Sequence, residues 1–119
     1  MDLKEALRKI KSESSILQPT RFSIVVLLAL EGKLSFREIQ EALNLSPGNL
    51  GSHLKVLEEE GIIERGRCLR KLRYVYCYQL TEFGLRKLGA VLSVAHKVSL
   101  SVSESEYVPD KDEFHARTQ

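Results

Sequence analysis

At 119 residues, 43% hydrophobic and 29% charged, the chain is sized for one domain with a real core. No apolar run approaches the roughly 20 residues of a membrane span, and the residues after Met1 lack a signal-peptide core, so a cytoplasmic protein with no membrane partner is expected. The net charge is only +2, yet residues 1–100 hold 16 Lys/Arg against 11 Asp/Glu and residues 101–119 hold two against five, so a basic body suited to a polyanion carries an acidic tail.

Leu3, Leu7 and Ile10 recur at helical spacing within residues 2–16, predicting an amphipathic helix whose apolar stripe needs a cover. Pro19 turns Gln18 away from helix and suits a first helical turn itself. A second helix is therefore expected from Pro19 to about Leu30, stopping near Gly32. Its run 24–30 is apolar on most sides, which marks the central core helix. Ser35 and Glu38 form the capping-box pattern of a third helix, with Phe36, Ile39, Ala42 and Leu43 on one side. Asn44 and Leu45 make a turn. Ser46 then caps a fourth helix, Pro47 takes its favoured first position, and Gly61 ends it.

That fourth helix has a slim polar side. At about 100° per residue, Leu50, Leu54 and Leu57 fall into one buried stripe, and His53 lies at its edge. Gly48, Asn49, Ser52, Lys55 and Val56 lie on the other side. Such a surface fits a major groove about 12 Å wide, where Asn49 can make a bidentate contact to adenine and Ser52 can serve base or phosphate. Lys55 suits phosphate, and the free N–H groups at Ser46, Pro47 and Gly48 mark an anion-binding helix start. Gly48 and Gly51 each cost a helix about 1 kcal/mol relative to Ala, which suggests close approach by a neighbouring backbone or by a phosphate. Taken alone, the helix pair also fits a purely structural role.

From 62 to 80 the pattern has period two, predicting a hairpin. Tyr74, Tyr76, Tyr78 and Leu80 alternate with Val75, Cys77 and Gln79, and Ile63 and Leu69 can share a face with Arg65 and Arg67. Tyr76, Tyr78 and Leu80 are expected to close the core, whereas Tyr74 suits either core or base stacking. The tip has neither Gly nor Asn, so a loop of about three to five residues is expected over 70–73. Arg65, Arg67, Arg70, Lys71 and Arg73 put five cations in nine residues without one acid. Edge charges that only keep a strand soluble tolerate mixed signs; a single sign points to phosphate. Cys68 and Cys77 stand equally far from the middle of the tip. A symmetrical register sets them face to face on the outward side, able to form a disulfide or to remain two thiols in a reducing cytoplasm.

Thr81 caps a long last helix, expected to Ser99 or beyond, with Leu88, Leu92 and Ala95 in one apolar stripe and Val91, Val94 and Val98 in another. One small domain has too little surface to cover both. Together with Leu3, Leu7 and Ile10 they predict a homodimer interface, with two fourth helices about 34 Å apart on a palindromic duplex site. His53, His96 and His115 are scattered and no CxC or CxxC pair exists, so no metal site is expected. No nucleophile–base arrangement or phosphate loop points to an enzyme, and no cofactor is expected.

The segments LSFREIQEALNLSPGNLGSHLKVLEEEGII and YVYCYQLTEFGLRKL resemble the winged helix-turn-helix domain of prokaryotic and archaeal transcriptional regulators of the MarR/ArsR-like kind, over residues 17–92. The resemblance implies a mostly α fold with a small β-hairpin, an α+β class. It implies a homodimer built on the first and last helices, with Asn49, Ser52, His53 and Lys55 facing the groove and 65–73 forming the wing. The domain is then residues 1–100, followed by an acidic tail, 101–119, that is disordered or partner-dependent. The function expected is sequence-specific binding of double-stranded DNA as a transcriptional regulator, with helix 46–60 in the major groove. A small-molecule effector is not legible. The alternatives are a low-specificity architectural DNA-binding protein, or a winged helix used for protein contacts alone, for which a neutral or acidic wing is expected.

Overall fold

The computed structural model describes residues 2–13, 15–106 and 108–110. Five helices and three strands follow in the order α1 (Leu3–Lys11), α2 (Pro19–Glu31), β1 (Leu34–Ser35), α3 (Phe36–Leu43), α4 (Pro47–Glu59), β2 (Ile63–Arg70), β3 (Arg73–Leu80) and α5 (Glu82–Glu104). Helix starts sit where the side-chain caps put them. Ser35 and Glu38 complete a reciprocal capping box, and Ser46 and Thr81 each accept a backbone N–H three residues on. Asn44 closes α3 in the left-handed conformation, which leads the chain sharply into α4.

The core forms around α2, whose Ile24, Val25 and Leu28 are buried. Ile39 from α3, Leu50, Leu54 and Leu57 from α4, Ile63 and Tyr78 from the sheet, and Leu88 and Val91 from α5 surround them. The helix predicted over 2–16 ends at Lys11, and Ile16 beyond it drops into this core. Leu3 and Leu7 stay exposed while Ala6 is buried. No helix among the described residues is long and apolar enough to cross a membrane.

The sheet order is β1-β3-β2. Leu34 pairs with Tyr78 and Ser35 with Cys77, so the hairpin gains a third strand that two residues are too few to announce by alternation. The hairpin register pairs Arg70 with Arg73. The loop of three to five residues is thus replaced by a two-residue turn, Lys71 and Leu72, with φ values of 52° and 65°. A turn with both central φ positive matches the right-handed twist of its strands. Twist prevails here over a steric cost of roughly 1–2 kcal/mol per non-glycine residue.

Two further expectations are corrected by packing. Leu88 and Val91, predicted for a dimer interface, belong to the chain's own core, together with the buried Val94. These three residues form the ridge that faces the body, and the surface left on α5 carries Leu85, Leu92, Ala95 and, beyond the body, Leu100 and Val102. The acidic tail does not begin at residue 101, since α5 continues through it to Glu104. Residues 111–119, and with them most of the predicted tail and His115, lie outside the described residues. Gly84 fixes where α5 starts: a Cβ there would stand 2.0 Å from the Ile62 carbonyl oxygen, so backbone meets backbone at the base of the hairpin.

Candidate nucleic-acid interface

Helix α4 buries Leu50, Leu54 and Leu57 and turns Ser46, Pro47, Gly48, Asn49, Ser52 and Lys55 outward. The Ser46 Oγ accepts the Asn49 N–H at 3.2 Å, and the Ser52 Oγ donates to the Gly48 carbonyl at 3.0 Å. The Ser52 proton is therefore used locally, which leaves its lone pairs to accept from a ligand. No atom lies within 4 Å of a Cβ built on Gly48 or Gly51. Close packing by a neighbouring backbone is thereby removed as their cause, and open surface remains.

His53 stands apart from that surface. It is half-buried, with Nδ1 3.3 Å from Arg21 Nη1 of α2, while Arg21 Nε donates to the Ser15 carbonyl at 2.7 Å. Since the guanidinium only donates, Nδ1 accepts and the ring proton sits on Nε2. Burial first, and then the Arg21 charge, push the imidazole below its ordinary pKa, so it is neutral near pH 7. The expected groove contact from His53 gives way to a clamp between α4 and α2.

On β2 and β3, alternation sorts the residues into two faces. Ile63, Arg65, Arg67 and Leu69 lie opposite Leu80, Tyr78, Tyr76 and Tyr74. Ile63 and Tyr78 close the core, but past the body the same face is open at Leu69, Tyr74 and Tyr76. Tyr76, expected in the core, is 53% exposed because the hairpin outruns the helices beneath it. Arg65 stacks over its ring, 4.5 Å from the centroid, and also meets Glu58 of α4 at 3.5 Å. The open face therefore lies on the α4 side of the sheet.

The five hairpin cations do not act alike. Arg65 is tied as described. Arg70 is a strut: its Nε meets Glu38 Oε1 at 3.0 Å, and its other nitrogens donate to the carbonyls of Leu69 and Lys33. The Ser35 backbone N–H foremost, and then the Ser35 hydroxyl and Arg70, hold the Glu38 carboxyl below its usual range. Arg67, Lys71 and Arg73 have no ion-pair partner among the described residues. A half-open cleft of about 640 Å³ runs between α3 and the hairpin, bridged by Arg70 and edged by Lys71 and Arg73.

Two helices joined by a tight turn, backed by a hairpin with three open cations, match known proteins throughout. The family model of bacterial regulatory proteins of the arsR family covers residues 18–65, from the start of α2 into β2. A transcriptional regulator homologue from Pyrococcus horikoshii OT3 is 31% identical, with a TM-score of 0.74 over 82% of this chain and 97% of that one. The chain belongs to the winged-helix transcriptional regulators of the ArsR/MarR type. Diamide-treated YodB from B. subtilis is similar at 27% identity and a TM-score of 0.59, over 83% of this chain and 95% of that one. A regulator ascribed to the MarR family in Enterococcus faecalis V583 shares the fold at 21% identity and a TM-score of 0.69, over 87% and 92%. A search of curated protein sequences found no match.

In this winged-helix regulator the hairpin is the wing. Cys68 lies opposite Val75 and Cys77 opposite Gly66, so the two cysteines are diagonal neighbours rather than the directly facing pair that a symmetrical tip predicts. They share the face that holds Val75, and Cys77 is buried, not outward. Their sulfurs are in bonding contact, with the Cα atoms 5.9 Å apart. The shift by one pair follows from the short turn, which moves the centre of the register towards β2.

Proposed function

We propose that this regulator binds double-stranded DNA sequence-specifically as a homodimer, with α4 in the major groove and the wing on adjacent backbone. The observation that carries the reading is the continuous open surface of Asn49, Ser52 and Lys55, on a helix whose polar side has no cover within the chain. Asn49 reads a base edge, while Ser52, Lys55 and the N–H groups at Ser46 and Gly48 hold phosphate. Arg67, Lys71 and Arg73 add phosphate contacts from the wing. The apolar surface for pairing is Leu3, Leu7 and Ile10 on α1 with Leu85, Leu92, Ala95 and Val98 on α5, all at least partly open in the single chain. A protein-only winged helix gains no support from a wing with three open cations.

The test is competition at fixed salt between a duplex selected by the protein from random sequence and bulk random duplex. Specific binding predicts a preference of at least about 1,000-fold, reduced about tenfold or more by Asn49→Ala through loss of the bidentate contact. Equal binding of both duplexes would instead establish the architectural alternative.

We also take Cys68 and Cys77 to form a cross-link that holds the wing strands in register. Native protein kept from reductant should then resist alkylation and gain two alkyl groups only after reduction. Immediate labelling at both cysteines would refute the link.

A further inference from the structure

Leu72 is the most exposed large apolar side chain among the described residues, at 93%. It occupies the apex of the wing, and the rest of the tip is Arg70, Lys71 and Arg73. Its φ of 65° is a left-handed conformation in which glycine and asparagine are at ease and a branched apolar residue is not. Turn chemistry and solubility both disfavour leucine at this point, so its presence calls for a use of the side chain. Below it, the directly paired Leu69 and Tyr74 are also exposed, and Tyr76 follows on the same strand face. An apolar strip thus runs up the α4 side of the wing to its tip, flanked by the unpaired Arg67, Lys71 and Arg73.

Apolar centre and cationic flanks match the minor groove, which has an apolar floor of sugar and base edges between two phosphate walls. That groove is about 6 Å wide, narrow enough to exclude a helix and to admit a two-residue turn. We propose that Leu72 is a wedge inserted by the wing into the minor groove at a base step, partly unstacking it while Arg67, Lys71 and Arg73 hold the flanking phosphates. This rests on the DNA-binding reading above and adds a residue that selects sequence through deformability. Easily unstacked pyrimidine–purine steps are favoured beneath the wing, without a hydrogen bond to any base there.

The experiment uses the full chain and a duplex selected by the wild-type protein, with 2-aminopurine placed in turn at each step flanking the α4 site. Leu72→Asn keeps a residue at ease in the turn, and Leu72→Met keeps apolar bulk, so neither should cost folding, which circular dichroism checks. The wedge predicts enhanced 2-aminopurine fluorescence at one step in each half-site with the wild type and with Leu72→Met. It predicts loss of that signal with Leu72→Asn and affinity lower by about tenfold, the scale of exposing a leucine that binding had buried. The slope of log K against log salt stays unchanged, because no charge is removed. Unaltered fluorescence and affinity in Leu72→Asn would overturn the wedge while leaving DNA binding intact, and would assign the apex to a protein partner. Failure of the wild type to select any duplex would overturn both proposals at once.

Discussion

His53 and Arg21 show how one contact can serve the fold and not the ligand. The imidazole sits half-buried beside a guanidinium, and both circumstances favour its neutral form. In the unfolded chain the same group titrates near 6.5. The folded pKa is depressed, so below about pH 6.5 the unfolded state takes up a proton that the folded state refuses, and stability falls with pH. Glu38, also depressed, contributes in the same direction but only as pH falls through 4.5 and below. Thermal unfolding between pH 7.5 and 5.5 should therefore show a falling Tm in the wild type and a flatter profile in His53→Asn. Equal slopes in the two proteins would remove His53 from the account. The position of His53 at the edge of the α4 stripe follows from helical periodicity, whereas its partner, 32 residues away on another helix, does not. Gly84 is similar, because nothing local distinguishes a glycine that meets a distant carbonyl from one at ease in a helix start.

Each helix of the motif carries its own signal: Pro at a first turn, Ser35 with Glu38 as a capping box, Asn44 at a left-handed cap. These are contacts within a few residues, which is why helix starts are legible without coordinates. The wing is less so. Its strands are evident from alternation, but its turn type depends on strand twist, and its third strand depends on where residues 34–35 arrive. The separation of its cations depends on partners on other elements. Arg70 reaches back to α3 and Arg65 to α4, leaving Arg67, Lys71 and Arg73 for a ligand. Arg67→Ala and Arg73→Ala should each lower the salt slope of DNA binding by about 0.9. Arg70→Ala should leave that slope nearly unchanged, while costing at most about 1 kcal/mol of stability for an ion pair open to solvent. Measured slopes that drop equally for all three would show that Arg70 contacts phosphate rather than bracing the wing.

The whole molecule divides its apolar surface between one core and one uncovered flank. Leu88, Val91 and Val94 satisfy the body, while Leu85, Leu92 and Ala95 on α5 and Leu3 and Leu7 on α1 face outward. Helices α1 and α5 pack on each other, so these residues border a common edge of the chain. A second copy of the chain meeting that edge about a two-fold axis gives two α4 helices and two wings on one side. That pairing is the central claim, since it alone converts a slim helix and a short basic turn into a reader of a symmetric site. Hydroxyl-radical footprinting on the selected duplex tests it most directly. The account predicts two symmetric half-sites with centres one helical turn apart, about 34 Å, each bordered by a protected minor groove under a wing. A single asymmetric footprint, or uniform protection with no centre of symmetry, would contradict it.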